Sequence, residues 1–407
     1  MKINLVVIGL GYVGLPLVVA AANSGFNVYG FDISASRIND LKLGRIKIQE
    51  FEDGSLPNSQ DLGQINFTNK IDDVPGNSIF VIAVPTPLDG LGKPDLNYLD
   101  LACGSIAKVI SSGALVISES TSYIGTLRNF ISKKINKLSG ANYIKYAVAP
   151  ERIDPGNQHW SLRNTPRIIS GLTEDAALKT QEFYKNFCNN VITVSSPEIA
   201  EASKLLENTF RLVNIALINE FSELTHKLGL NTFEITNAAA TKPFGFMHFL
   251  PGIGVGGHCI PIDPVYLLHS AKEVNLDLQM VELATKINSS AHISVVEKLK
   301  YLLKTDLDNK KIQIVGIAYK VDTPDTRESP AIKLVNELRL QGASVSWHDP
   351  LVKEFEGELS MPLSLDIDLG LLVTPHSCVD LSFWKNNYVK VFDLSATKEN
   401  YGWAKLL

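Results

Sequence analysis

The sequence predicts an α/β protein in which two Rossmann-like, doubly wound parallel-sheet domains are joined by a central helical domain built on one long spine helix. Three observations carry this expectation. The N-terminus reads as strand, glycine turn, helix, strand; a helical pattern runs unbroken from Pro197 past Leu224; and a second strand-helix-strand unit near the C-terminus echoes the first.

Residues 3–8 are a β-prone apolar run that ends in Gly9-Leu10-Gly11-Tyr12-Val13-Gly14. A helical stretch over 15–23 follows, Gly25 closes it, and residues 28–31 read as a second strand ending at Asp32. A glycine turn is weak by itself, but one that follows a strand, opens a helix and precedes an acidic residue at the end of the next strand is a dinucleotide fingerprint. Gly9 permits the tight turn, Gly11 lets backbone meet a pyrophosphate, Gly14 lets helix and strand pack, and the helix N-terminus adds positive charge. Asp32 would bind ribose hydroxyls and repel a 2′-phosphate, which favours NAD over NADP, with Arg37 close by. Buried strands at 79–84, 115–118 and 146–149 extend this NAD-binding domain over residues 1–196.

At Ser196 a cap is followed by Pro197 in the first helical position, and apolar residues recur from Ile199 through Leu224 until Gly229. Such a helix is on the order of 50 Å long, too long for one small domain, so it is read as the spine of a central domain over 197–297 and as a subunit contact. Lys204 and Asn208, four residues apart, share a face that is otherwise largely apolar, where a buried lysine needs a purpose. The C-terminal domain, 298–407, repeats the first pattern: a strand at 312–315, Gly316, a helix over 330–340, Gly342, a strand at 345–347 and Asp349. Gly25, Val28 and Asp32 recur at the same spacing as Gly342, Val345 and Asp349, but Ala318 stands where a second glycine would admit a pyrophosphate. This copy is a poor dinucleotide site.

With 407 residues, a formal charge of −5 and four scattered cysteines, the chain lacks the basic field of a nucleic-acid partner and the spacing of a zinc knuckle or disulfide framework. No metal is expected. No run reaches the roughly 18 apolar residues of a membrane span, so a soluble, cytoplasmic protein is the expectation.

Four glycines in Pro251-Gly252-Ile253-Gly254-Val255-Gly256-Gly257-His258-Cys259 lead to a thiol. Such a loop lets a ligand approach backbone, and Pro261 predicts a helix starting there whose N-terminus would stabilise a thiolate, making Cys259 a candidate nucleophile. Asp263 then lies one turn beyond on the same face, suited to general-base or water-orienting work, while His258 points away from the thiol.

These residues resemble the UDP-glucose/GDP-mannose dehydrogenase family, which oxidises a nucleotide-sugar alcohol to a carboxylate in two steps. Its blocks are visible as Val7-Ile8-Gly9-Leu10-Gly11-Tyr12-Val13-Gly14-Leu15-Pro16, Val84-Pro85-Thr86-Pro87, Glu119-Ser120-Thr121, Pro150-Glu151-Arg152, Lys204 and Asn208, the glycine-cysteine loop, and Arg327-Glu328-Ser329-Pro330. The resemblance implies that Cys259 is the nucleophile and that Thr121, Glu151, Lys204, Asn208 and Asp263 complete the catalytic set. It further implies that Pro85, Thr86 and Thr121 join the glycine turn at NAD. Arg152, Lys242, Gly256, Gly257, Lys320 and Arg327 are implied to help hold a UDP-sugar, Lys320 and Arg327 its nucleotide. A homodimer or larger assembly through the spine helix is implied as well.

The run Ala240-Thr241-Lys242-Pro243-Phe244-Gly245-Phe246 and the run Pro150-Glu151-Arg152-Ile153-Asp154-Pro155-Gly156-Asn157 look like the branch acting on UDP-N-acetylhexosamines, UDP-N-acetylglucosamine above all. UDP-glucose enzymes carry an arginine about where Pro243 stands, and many have a second glutamate where Pro155 stands. UDP-N-acetylmannosamine, UDP-N-acetylgalactosamine and UDP-glucose are the alternatives. The product would be a uronic acid formed through a cysteine thioester, for capsule, O-antigen or other polysaccharide synthesis. Ile124 replaces the usual proline after Thr121, a departure that bears on how that loop is placed. An enzyme of one hydride transfer, such as a 3-hydroxyacid dehydrogenase, needs no cysteine, and a silent NAD-binding scaffold needs none of Cys259, Lys204, Asn208 and Asp263.

Overall fold

Alternate residues of strand β1 (Asn4–Ile8) face opposite sides of its sheet, with Leu5 and Val7 in one core and Val6 and Ile8 in the other. Burial on both faces is why the strand is apolar from Leu5 to Ile8. The computed structural model describes residues 2–45, 65–153, 157, 159–395 and 403–407, which form two units: Met1–Glu207 with Val265–Asn275, and Asn208–Pro264 with Leu276–Leu407.

In the first unit β1 is followed by α1 (Gly14–Asn23), β2 (Asn27–Phe31), α2 (Ala35–Lys42), β3 (Ile65–Thr68), β4 (Ile79–Ile82), α3 (Asn97–Val109) and β5 (Leu115–Ser118). Then come α4 (Ser132–Leu138), β6 (Lys145–Val148), β7 (Arg167–Gly171), α5 (Glu174–Tyr184) and β8 (Val191–Thr193). The sheet order is β3-β2-β1-β4-β5-β6-β7-β8, parallel except where β7 runs antiparallel to β6. The first six strands have the order of a doubly wound dinucleotide fold, with the switch point between β1 and β4.

Helix α6 (Pro197–Lys227) is the expected spine: 31 residues, with the Ser196 hydroxyl accepting from the Ile199 N–H at 3.4 Å. Its buried face departs from expectation. Besides Lys204 and Asn208 it buries Glu201, Thr209, Asn219, Ser222 and Thr225, while Phe210, Leu217 and Leu224 are exposed. The polar groups are tolerated because most are hydrogen-bonded to backbone or to one another, Glu201 and Asn219 by holding loops.

The second unit adds α7 (Thr232–Ala240), α9 (Gln279–Leu303), β9 (Lys311–Val315), α10 (Pro330–Leu340), β10 (Ser344–His348), the hairpin β11 (Glu354–Phe355) and β12 (Glu358–Leu359), β13 (Leu369–Leu372), α11 (Ser382–Asn386), β14 (Val391–Asp393) and β15 (Lys405–Leu406), with α8 (Asp263–Glu273) straddling the boundary of the units. Its parallel sheet has the order β10-β9-β13-β14-β15. Helix α10 keeps its predicted bounds, capped by Ser329 with Pro330 at the first position.

The C-terminal copy of the fold uses its acidic residue internally. Asp349 is fully buried and accepts from the N–H groups of Ile317 (2.9 Å), Ala318 (3.2 Å), Leu351 (2.9 Å) and Val352 (2.9 Å), and from His376 Nε2 (3.1 Å). No helix among the described residues is long and apolar enough to cross a membrane.

Candidate active site

The glycine turn is shaped by two contacts and one gap. A Cβ on Gly14 would lie 1.9 Å from the Gly9 carbonyl oxygen, and one on Gly9, whose φ is +93°, would lie 2.6 Å from the Ala83 carbonyl oxygen. A Cβ on Gly11 would meet nothing within 4 Å, so this is the side open to a ligand. Asp32 is held in place by accepting from the Leu10 N–H (3.1 Å) and the Ser34 N–H (2.9 Å), and Arg37 Nε donates to the Leu10 carbonyl at 2.6 Å. Tyr12 and Val13 pack against the core beside α1. A cavity of about 180 Å³ is bounded by Gly9, Asp32, Ile33, Pro85, Tyr98 and Leu101. Apolar walls with a carboxylate at the edge suit a flat base joined to a ribose, so the residues present fit NAD.

Neighbouring strand ends carry the next residues. The chain leaves β4, β5 and β6 through Ala83, Glu119 and Ala149, whose N–H groups donate to the last carbonyls of the neighbouring strands β1, β4 and β5 at 2.8, 2.9 and 2.9 Å. Pro85 and Thr86, Thr121, and Glu151 therefore emerge along one edge. Ser120 accepts from the Val84 N–H (2.9 Å) and donates to the Val84 carbonyl (2.7 Å), pinning the first of these loops to the second. Ile124 resolves the question raised by its missing proline: its N–H donates to Ser270 Oγ at 3.1 Å, and Ser270 donates to the Tyr266 carbonyl at 3.0 Å. The loop is anchored through a bond that proline has no N–H to make.

Glu201 accepts from the N–H groups of Gly125 (2.5 Å) and Leu127 (2.9 Å), where the chain after Thr121 turns helical; burial raises its pKa to about 7, opposed by these two bonds. Glu151 is buried, and its carboxylate accepts from the Ile153 N–H at 2.6 and 2.7 Å. Arg152 pairs with Glu207 at 2.7 Å and donates to the Pro166 carbonyl at 2.9 Å. Lys204 is buried, and its ammonium has no hydrogen-bond or ion-pair partner among the described residues. Asp154, Pro155 and Gly156 lie outside the described residues.

In the second unit Asn208, one turn along α6 from Lys204, donates its side-chain amide to the Asp263 carboxylate; they are 5 % and 3 % exposed. The helix after the cysteine begins at Asp263, not at Pro261. The Cys259 carbonyl accepts from Ile262 N (3.2 Å) and Asp263 N (2.9 Å), so Pro261 sits inside a turn that leads into the helix. Asp263 still stands one hydrogen-bonded turn beyond half-buried Cys259.

Two of the glycines before the cysteine are required by the protein's own packing, a reason that stands beside the expected one of ligand approach. A Cβ on Gly256 would lie 2.8 Å from the Tyr319 Cβ and 2.9 Å from the Pro330 Cδ, and one on Gly257 2.8 Å from the Tyr319 ring. Gly257 N donates to the Arg327 carbonyl at 3.0 Å, docking the loop on the Arg327-Glu328-Ser329-Pro330 block. Further back, the Asn219 carboxamide accepts from Gly252 N (2.8 Å) and donates to Asn288 (3.1 Å), which donates to the Leu212 carbonyl (2.9 Å). Arg327 is bound to Asp325 at 2.9 and 3.0 Å and lies 3.4 Å from His258 Nδ1. Lys320 is half-buried, whereas Lys242 is exposed after α7, its ammonium 4.9 Å from the Phe244 ring centroid.

Glu201, Asn219 and Asn288 were missed by sequence reasoning, as was Arg167, buried between Glu119 (3.6 Å) and Glu151 (3.7 Å). Only the spacing of Glu201, three residues before Lys204, offered a signal.

The NAD binding, central and UDP binding domains of the UDP-glucose/GDP-mannose dehydrogenase family match residues 1–188, 198–290 and 313–389. The chain is 40% identical over 359 residues to a UDP-N-acetyl-D-mannosamine dehydrogenase of Pyrococcus horikoshii, covering 86% of this chain and 84% of that protein. It is 35% identical to a UDP-N-acetyl-D-glucosamine 6-dehydrogenase of Pseudomonas aeruginosa, covering 86% and 83%. A solved structure of the P. horikoshii UDP-D-ManNAc dehydrogenase superposes with a TM-score of 0.87 at 34% identity, covering 99% of both chains. With its three domains matched in order and a glycine turn shaped for the dinucleotide, the chain belongs to the UDP-glucose/GDP-mannose dehydrogenase family of NAD-dependent nucleotide-sugar dehydrogenases.

Proposed function

We propose that the chain oxidises the C6 alcohol of a UDP-N-acetylhexosamine to the uronic acid in two steps, with Cys259 as covalent nucleophile. The observation that carries this reading is the buried Asn208–Asp263 pair one turn beyond the Cys259 carbonyl. When bound, NAD accepts one hydride in each oxidation. Cys259 captures the C6 aldehyde as a thiohemiacetal, which on the second oxidation becomes a thioester. Lys204 and the second N–H of the Asn208 amide stabilise the oxyanion, an effect typically worth about 3 kcal/mol per well-placed donor. Glu151 and Asp263 orient the water that releases the carboxylate. Lys320 and Arg327 hold the nucleotide, with Arg152, Lys242, Gly256 and Gly257 as further contacts to the sugar nucleotide.

For the sugar, the relative named for N-acetylmannosamine is 40% identical and the one named for N-acetylglucosamine 35%. UDP-N-acetylmannosamine is therefore the first substrate to test, ahead of the UDP-N-acetylglucosamine favoured by the sequence motifs. The reading places the subunit contact on α6, where Phe210, Leu217 and Leu224 expose an apolar stripe at seven-residue spacing. It also places the enzyme in the cytoplasm, supplying a uronic acid for polysaccharide synthesis. The test is a panel of UDP-sugars with NAD, counting NADH per sugar. Two NADH and a carboxylate are expected, with Cys259→Ser forming no product; one NADH with free aldehyde from the native enzyme overturns the thioester route.

A further inference from the structure

Strand β7 pairs with its neighbour β6 in antiparallel fashion, with Ala147 opposite Gly171 and Val148 opposite Ser170. Carried three residues further, that register sets Glu151 opposite Arg167. The side chains follow: Arg167 is 3% exposed, one guanidinium nitrogen lies 3.7 Å from the Glu151 carboxylate, and the other lies 3.6 Å from Glu119 and donates to the Ala149 carbonyl at 3.3 Å. The guanidinium carbon sits 5.1 Å from the centre of the Tyr184 ring, and Tyr184 donates its hydroxyl to Glu119.

We propose that Arg167 is a positioning residue for the hydrolytic step, a buried cation that holds and orients the Glu151 carboxylate for its work on the attacking water. The proposal rests on the reading of Glu151 as the group that orients water.

The physical case begins with cost. A guanidinium withdrawn from water needs compensating charge and hydrogen bonds, and a purely structural role would be met by Glu119, Tyr184 and the Ala149 carbonyl. Arg167 instead reaches a second carboxylate, one bound to the N–H of Ile153 two residues on. Burial pushes the Glu119 carboxyl upward, against the pull of Arg167 and the Tyr184 hydroxyl. Cys188 also faces the guanidinium, and burial raises its thiol as well. Glu151 is thus the member of the cluster that stands past the strand end, beyond the pairing of Glu119 with Tyr184, where a carboxylate can act on water. In the step itself water adds to the thioester carbonyl and the C–S bond breaks with its electron pair returning to Cys259. The proton of the water passes to the Glu151 carboxylate and on to solvent, and no oxidant is consumed.

The experiment compares native enzyme with Arg167→Met, Arg167→Lys and Glu151→Gln, using excess NAD and whichever of UDP-N-acetylmannosamine and UDP-N-acetylglucosamine the native enzyme turns over. NADH is followed from the first turnover, and intact protein mass is read during steady state. Arg167→Met should still release two NADH per site in the first turnover, then slow by about 100-fold or more as the sugar acyl adduct builds up on the protein. Arg167→Lys should recover part of the rate and lessen the adduct. Equal loss of burst and steady state, with no adduct, overturns the proposal. If Arg167→Met does not fold, the adduct of Arg167→Lys decides it by the same criterion. Glu151→Gln separates the two claims: an adduct there and none in the Arg167 variants sinks the role of Arg167 alone, whereas no adduct in Glu151→Gln removes the reading beneath it.

Discussion

At the scale of single residues, the positions that sequence reasoning found are those where backbone geometry or covalent chemistry leaves one choice of side chain. Gly14 is such a position. Because its Cβ would lie 1.9 Å from a backbone oxygen, Gly14→Ala is expected to cost about 3 kcal/mol or more. Chemical denaturation measures this, and an unchanged midpoint would mean that the turn relaxes freely. Asn208 is a second. Asn208→Ala leaves the Asp263 carboxylate without its amide partner and, on the proposed mechanism, removes an oxyanion donor, so kcat should fall about 10²- to 10³-fold with little change in NAD affinity. Steady-state kinetics beside NAD titration would refute this if affinity fell while kcat held. Arg167 escaped because its meaning lies in a strand register, and no local spacing announces which residue stands across a sheet.

At the scale of elements, Ser196-Pro197 marked the start of α6, and Ser329-Pro330 that of α10, since caps are written in neighbouring residues. The polar burial on α6 was not legible. Glu201 reads as a solvated charge until the segment it holds is known, and Gly125 stands 76 residues before it. Its pKa of about 7 has a definite consequence for stability. The folded state binds the proton more tightly than the unfolded chain. The stabilisation is therefore complete below pH 4.5 and is lost as pH rises through 7, amounting to about 3 kcal/mol. Glu201→Gln stays neutral and keeps an acceptor oxygen, so its melting temperature should hold between pH 5 and about pH 8 while that of the native enzyme declines. Parallel melting curves would show that Glu201 is ionised throughout.

For the molecule as a whole, the repeat of Gly25, Val28 and Asp32 in Gly342, Val345 and Asp349 disclosed two related sheets. Strands β13 and β14 went unseen because Gly370 and Asp393 break apolar runs that are already only four and three residues long. The apolar stripe on α6 belongs to this scale too. On the proposed contact through α6, Phe210→Glu with Leu217→Glu should bring the mass seen by light scattering from that of an assembly to that of a monomer, and an unchanged mass would overturn that contact.

A chain with two copies of a nucleotide fold risks giving one coenzyme two berths. The sealed carboxylate of Asp349 removes that rivalry, since the amides that would greet a diphosphate already face inward to it. Calorimetric titration of the full chain should therefore saturate at a single dinucleotide per polypeptide, and the C-terminal copy is left to a different nucleotide.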